Sequence, residues 1–228
     1  MTAPDQLSSP PTPSVLERLG RIDASSLSDA DKSLRVVTPA IRPVVGGLRL
    51  LGRAVTAQAN GDLMSVIAAL HQTEAGDVLV VESGVDDRAV AGELFASEAI
   101  RRGVAGIVID GLCRDTPTLR RLPLPVYARG ATPIAAPAAK VPVIGVPVTV
   151  GGVQVAPGDL LLGDDDGIVV GTTAELEAAL DKAEAIQTGE EGLRASINGG
   201  TSLFSGMNFD EHVARLKEGR DSALSLGL

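Results

Sequence analysis

The stretch "GDVLVVESGVDDRAVAGELFASEAIRRGVAGIVIDG", residues 76–111, decides the fold class. Its opening, "GDVLVVES", is a short unbroken apolar run, the pattern of a strand buried on both faces. "DRAVAGELFASEAIRRG" predicts a helix with Gly103 at its C-terminal stop. "VAGIVIDG" then supplies a second, strongly apolar strand. Strand, helix, strand in this order implies parallel pairing across a crossover helix.

The rhythm continues on both sides. Upstream, "LLGRAVTAQA" reads as a strand, and "GDLMSVIAALHQ" has an Asp cap and apolar residues at helical spacing from Leu63 to Leu70. Downstream, "LPVYARG" predicts another strand. After residue 131 the character changes. "VPVIGVPVTVGGVQVAPGDLLLGDDDGIVVG" lacks a helical period and reads as antiparallel β, with "GG", "PGD" and "DDDG" as turns. Residues 14–20 predict a short helix, and the Ser and Asp caps of "IDASSLSDADKS" place a second helix start near Ser28. Helices are expected again over 173–198, with Leu176, Leu180 and Ala183 on one packed face, and near 209–218. The polar, Pro-rich residues 1–13 are expected to be a disordered tail, and residues 14–228 a single α/β domain.

Composition excludes several function classes. Net charge −9 and a scarcity of aromatics, 2%, argue against nucleic acid, which selects basic faces and stacking platforms. The single cysteine, Cys113, excludes disulfides and thiolate zinc sites within one chain. Two histidines, His71 and His212, cannot build a three-His centre, so a bound metal would be held by oxygen ligands, which suits Mg or Mn. No apolar run approaches a membrane span and the N-terminus has no secretory pattern; the expectation is a cytoplasmic protein that binds neither membrane nor nucleic acid. Walker A, GxGxxG and GxSxG motifs are absent.

The candidate site residues flank the second apolar strand. Arg114-Asp115 follows its C-terminal end, where open α/β sheets bind ligands. Arginine grips carboxylates and enolates with a planar fork, and aspartate is a hard ligand for Mg. The pair reads equally well as a helix N-cap beside a solvated charge. Gly92-Glu93-Leu94-Phe95 would form an anion site if a helical turn starts there; the plainer reading is a glycine inside a longer helix from Asp86. Asp164-Asp165-Asp166-Gly167 reads as a turn, Cys113 as a small core or site-lining residue, His71 as a partner of a helix C-terminus, His212 as part of a surface helix, and Glu190-Glu191 as solvated charge.

Taken in order, "GDLMSVIAAL", "GDVLVVESG", "GELFASEAIRRGVAGIVIDGLCRD", "LPVYARG" and "VAPGDLLLGDDDGIVV" resemble the blocks of the RraA-like proteins, from about Ser28 to about Ala214. That family includes the regulator of ribonuclease E activity A and metal-dependent 4-hydroxy-4-methyl-2-oxoglutarate aldolases, which also decarboxylate oxaloacetate. The resemblance implies a swivelling β/β/α domain with a mixed central sheet, a β-rich layer and C-terminal helices. The aldolases carry an acidic residue, twenty intervening residues, then Arg-Asp. Here Glu93 and Arg114 are separated by residues 94–113. Two departures stand out: Glu93 occupies a position where the pattern has Asp, and Thr118 one where it often has an acid.

By that resemblance, Asp115 coordinates Mg2+ (or Mn2+) directly and Glu93 holds metal-bound waters. Arg114 binds the oxygens of the 2-oxo acid, and the N–H groups of Leu94 and Phe95, beside Gly92, hold its carboxylate. Retro-aldol cleavage of a 4-hydroxy-2-oxo acid and decarboxylation of oxaloacetate both leave pyruvate enolate, so one anion-stabilising site serves both. The family also implies a homotrimer or dimer of trimers. In it a C-terminal glutamate of the neighbouring subunit, here Glu190 with Glu191 second, reaches the metal waters. Two alternatives remain open at this point: a non-catalytic regulator that contacts a ribonuclease or helicase, and a related enzyme acting on another sugar-derived acid.

Overall fold

The structure, a computed structural model, describes residues 13–84 and 87–225. The expected tail falls outside the described residues, except for Pro13, which opens the first helix. In chain order the helices are α1 (Pro13–Leu19), α2 (Ala24–Ala30), α3 (Met64–Gln72), α4 (Glu93–Arg102), α5 (Thr116–Leu119), α6 (Thr173–Asn198) and α7 (Phe209–Lys217). The strands are β1 (Arg35–Val36), β2 (Arg42–Pro43), β3 (Leu50–Gln58), β4 (Asp77–Glu82), β5 (Ala89–Ala91), β6 (Gly106–Cys113), β7 (Val126–Ala131), β8 (Val143–Ile144), β9 (Val148–Val150), β10 (Val153–Val155), β11 (Leu160–Asp164) and β12 (Gly167–Gly171).

Val78, Leu79, Val80 and Val81 of β4 are all fully buried, against two different layers. Leu79 and Val81, with Ile107 and Ile109 of β6, pack on Val66, Ala69 and Leu70 of α3 and Ala96 and Ala99 of α4. Val78 and Val80, with Val108, pack instead on Val148, Val150 and Val155 of the β9–β10 hairpin. The period-2 alternation of a strand therefore feeds two cores, which is why the run is apolar throughout. Each such side chain contributes about 1.5–3 kcal/mol by leaving water.

The sheet between these layers is mixed. Its order is β1-β12-β11-β3-β4-β6-β7-β2. The centre, β3-β4-β6-β7, is parallel, as the strand–helix rhythm predicts. The outer pairs β11–β3, β11–β12, β1–β12 and β2–β7 are antiparallel. The "GG" and "DDDG" segments join β9 to β10 and β11 to β12, and "PGD" closes a turn through the Asp159 N–H to the Ala156 carbonyl, 3.1 Å. Two acids fasten the hairpin to the sheet: Glu82 accepts from the Thr149 N–H, 3.0 Å, and Asp110 from the Gly151 N–H, 2.8 Å.

Two expectations are corrected. The second helix starts at Ala24, not near Ser28, because Asp23 caps it, its Oδ1 accepting from the Ser26 N–H at 2.6 Å. Ala89–Ala91 is a strand, not the first turn of the next helix: Ala89 pairs with Leu112 and Ala91 with Cys113, in parallel. On its other edge β6 pairs there with Gly130 and Ala131 of β7, so β5 occupies the edge of β6 that β4 uses earlier, at residues 106–110.

The chain groups into two compact units, one ending at Leu180 and the other running from Asp181, with the division inside α6. Thr172 and Glu175 start α6 with a capping box, the Thr172 N–H donating to Glu175 at 2.7 Å and the Glu175 N–H to Thr172 Oγ1 at 3.2 Å. Leu176, Leu180 and Ala183 are buried, as their spacing predicts. In the second unit His212 Nδ1 lies 2.9 Å from Ser222 Oγ, and Asn208 bonds the backbone of Ala223 and Ser225. Among the described residues no helix is long and apolar enough to cross a membrane.

Candidate active site

Strand β6 ends at Cys113 and α4 begins at Glu93, and the β5–β6 pairing brings these two ends together. The Arg114 N–H donates to the Ala91 carbonyl at 3.0 Å, so Gly92 and Arg114 follow directly from paired residues. Gly92 is extended; what requires glycine here is proximity. A Cβ built on it would stand 2.4 Å from Asp115 Oδ2 and 2.8 Å from Arg114 Cγ.

Asp115 occupies the N-cap position of α5 but does not cap that helix with its side chain. Its backbone is left-handed, φ 58° and ψ 32°, a conformation that aspartate tolerates better than most residues. This turns the carboxylate back toward α4. There Oδ2 accepts from the Glu93 N–H at 3.2 Å and lies 3.3 Å from Arg114 Nε. Oδ1 accepts no hydrogen bond among the described residues. The plainer reading of Arg114-Asp115, a cap beside a solvated charge, therefore fits poorly: the pair faces the start of another helix and neither member is more than 40% exposed.

Helix α4 is ten residues long, and its first internal bond runs from the Ala96 N–H to the Gly92 carbonyl, 3.1 Å. The N–H groups of Leu94 and Phe95 have no acceptor among the described residues, as expected at a helix start. Free N–H groups at the positive end of a helix dipole favour negative charge, and these open beside Arg114.

A cavity of about 500 Å³ opens at this junction, lined by residues of α3 and α4 and by Gly92, Arg114 and Asp115. Of the residues read from the sequence as site candidates, Gly92, Leu94, Phe95, Arg114 and Asp115 line it. Glu93 does not: it lends its N–H to Asp115, and its half-buried side chain stands outside the lining. Glu190 and Glu191 are exposed residues within α6, in the second unit. Thr118 lies in α5, half-buried.

Sequence reasoning missed His71 and Glu98 as cavity residues. His71 stands in the last turn of α3 and also lines the cavity. The available signal was helical spacing: Ile67 and His71, and Leu94 and Glu98, are i, i+4 pairs. Arg101 holds Glu98 with two bonds, 2.7 and 2.6 Å, and this pairing, with the charges of Arg102 and His71, keeps the Glu98 carboxyl below its ordinary value. Burial pushes the Cys113 thiol up, against a nucleophilic role. Among the described residues no lysine lines the cavity.

The donor set suits a magnesium-like ion. Among the described residues no three His, Cys, Asp or Glu side chains cluster as a ready cage. Asp115, with Oδ1 unengaged among the described residues, offers one carboxylate to the cavity. Mg2+ characteristically takes one or two carboxylates and completes its shell with water and substrate oxygens, whereas zinc would want nitrogen or sulfur.

Comparison with known proteins gives consistent matches. A family model described as RraA-like, aldolase/RraA, matches residues 22–170. A Halalkalibacterium halodurans protein provisionally named a 4-hydroxy-4-methyl-2-oxoglutarate aldolase is 35% identical over 179 residues, 78% of this chain and 85% of that protein. The crystal structure of an uncharacterized protein from Pseudomonas syringae superposes with a TM-score of 0.77 at 30% identity, covering 87% of this chain and 98% of the other. A Streptomyces coelicolor protein, described as an unusual member of the RNase ES inhibitor RraA family, gives a TM-score of 0.72 at 30% identity over 82% of this chain and 99% of its own.

Proposed function

The chain belongs to the RraA-like (aldolase/RraA) family, and from that premise we propose that it is a divalent-metal-dependent lyase. It cleaves 4-hydroxy-2-oxo acids to pyruvate and decarboxylates oxaloacetate. The observation that carries this reading is the Asp115 carboxylate, which is turned away from its own helix to meet Arg114 and the start of α4 across a glycine that admits no side chain.

The substrate carboxylate is held by the free N–H groups of Leu94 and Phe95. Arg114 lies beside the 2-oxo oxygen and stabilises negative charge as it develops there. Asp115, and Glu93 through water, would hold Mg2+ or Mn2+, which when bound polarises the 2-oxo group as a Lewis acid. Glu93, whose side chain lies outside the cavity lining and must turn toward it, moves the proton of the C4 hydroxyl through water and returns one to C3 of the enolate. The same enolate follows loss of carbon dioxide from oxaloacetate, so the residues serve both reactions without rearrangement.

We propose further that the protein works as a trimer or dimer of trimers, with Glu190 of a neighbour reaching the metal waters. Exposed apolar residues of the second unit, including Phe204, Phe209 and Leu216, are what a subunit contact would cover. The test is pyruvate release from oxaloacetate and a panel of 4-hydroxy-2-oxo acids, including 4-hydroxy-4-methyl-2-oxoglutarate, with Mg2+ and after chelation. Release that depends on metal supports the proposal; no release from any substrate refutes it. The relatedness to an RNase ES inhibitor family supports a second reading, regulation by protein contact, which would leave partner binding intact when Asp115 is replaced.

A further inference from the structure

We infer that the apolar groove between α3 and α4, beside Arg114 and Asp115, is covered by a second copy of this chain, which seats Phe204 and Phe209 there. This rests on the oligomer reading above and names the two faces that meet; the outer wall of the cavity is then a subunit contact.

One face lies on the first unit. The inner sides of the two helices are committed to the core, through Val66 and Ala69 of α3 and Ala96 and Ala99 of α4. Ile67 and Leu94 line the cavity but stay 42% and 72% exposed. The apolar surface continues past Leu63, whose N–H donates to the Pro137 carbonyl at 2.7 Å. The segment around Pro137 carries Ile134 and Val141, 56% and 86% exposed. Its backbone is pinned: the Ala89 N–H donates to the Ile134 carbonyl at 2.8 Å, and Asp62 accepts from the N–H groups of Ala139 and Lys140 at 2.7 and 3.2 Å. Large apolar side chains held outward on a fixed backbone beside a site mark a contact surface.

The other face lies on the second unit. Among its described residues none beyond Ala183 is buried, so this segment builds no core of its own. Yet Phe209, Val213 and Leu216 of α7 share one face, at i, i+4 and i+7. Local bonds fix the segment, with Ser202 accepting from the Phe204 N–H at 3.3 Å and His212 meeting Ser222. The chain has three phenylalanines and one tyrosine. Tyr127 is buried and Phe95 packs on the core, whereas Phe204 and Phe209 are 68% and 48% exposed. Covering the exposed parts of these two removes roughly 200 Å² from water, a quarter of what each partner gives to a stable contact. Val213 and Leu216 extend the same face.

Every copy thus carries both an uncovered groove and an uncovered aromatic face. Two different faces make a head-to-tail contact, the kind that closes into a ring and so builds a trimer. The site is incomplete without it, because Leu94, whose N–H is assigned to the substrate carboxylate, otherwise keeps its side chain in water.

The test separates the two faces. Ile67→Asp and Phe209→Asp each place a charge on one of them, at a surface position, so both variants should keep the parent's circular dichroism. Each should sediment as a single chain where the parent sediments as an oligomer. Mixed one to one, they should form pairs and no ring, because the groove of the Phe209→Asp chain and the aromatic face of the Ile67→Asp chain are intact. Crosslinking probes the same contact without adding charge. Ile67→Cys and Phe209→Cys subunits, co-assembled and treated with a short bismaleimide, should join to each other, the native Cys113 being buried. An oligomer undisturbed by Ile67→Asp, or crosslinks only between two Phe209→Cys chains, overturns the inference and leaves the oligomer reading standing. A parent that sediments as one chain overturns both. Pyruvate release is measured on the same samples: the contact confirmed, with no release from any substrate, refutes the lyase reading and leaves the inference in place.

Discussion

Replacing Gly92 by alanine separates architecture from chemistry at this site. The new methyl would stand 2.4 Å from Asp115 Oδ2, where ordinary contact begins near 3.4 Å. The carboxylate must therefore retreat by about 1 Å, a displacement near a reacting centre that costs about 10²-fold in rate. It has little freedom to retreat harmlessly, because its backbone is fixed left-handed and the move breaks its 3.2 Å bond from the Glu93 N–H. The atoms struck are side-chain atoms of half-exposed residues, not backbone, and Gly92 itself is extended, so alanine brings no dihedral strain. The stability loss should stay at about 1 kcal/mol, low in the range for overpacking, which for a chain of this size lowers Tm by about 2–4 °C. The assay is kcat/KM for pyruvate release beside a thermal melt of the same preparation. An active Gly92→Ala enzyme would refute the contact between Asp115 and the start of α4 as the working arrangement. A variant that fails to fold would refute the reasoning that side chains alone absorb the clash.

Asp115→Asn should retain the fold, since asparagine accepts a left-handed backbone as readily, and should lose both Mg2+-dependent turnover and any rise in Tm on adding Mg2+. Full Mg2+-stimulated activity would remove Asp115 from the metal. Asp115→Asn and Glu190→Ala subunits, each inactive alone, should recover activity when mixed and shown to exchange, because some interfaces then combine two intact halves; mixtures that stay inactive refute the shared site. Burial would raise the Asp62 carboxyl, but bonds from the N–H groups of Met64, Ala139 and Lys140 outweigh it and hold it below its ordinary value. Its contribution is thus present above the ordinary carboxylate pKa and is lost as the pH falls through the lower folded value. Acid titration of Tm should show this loss in the wild type below about pH 4 and not in Asp62→Asn.

The sequence exposed the parallel centre of the fold because β4 and β6 are buried on both faces and say so residue by residue. It hid β5. Ala89-Val90-Ala91 has no turn signal ahead of it and merges into the helical pattern that follows; what makes it a strand is its pairing with Leu112 and Cys113, more than twenty residues on. The start of α2 was obscured by competing caps, among which only the bond from Ser26 to Asp23 decides. In the site, Arg114-Asp115 was legible from its place after an apolar strand. The presence of His71 and Glu98 in the cavity wall was not, because it depends on how α3 and α4 lie side by side. Nor could spacing reveal that Glu93 meets Asp115 through its backbone and not its side chain.

The β5–β6 pairing also makes α4 a ruler. Residues 92 and 114 meet because Ala91 and Cys113 are partners, and the chain between them is a ten-residue helix, a turn at Gly103 and a strand. An insertion or deletion of one residue in that return path would slip β6 by one position and deliver Arg114 and Asp115 to the opposite face of the sheet. Length change at the Gly151-Gly152 turn would leave them in place, since that turn closes a separate two-stranded ribbon. The interval of twenty residues is thus a mechanical tolerance: lineages of this protein can drift in composition across it, but a change in its length severs the two halves of the site at once.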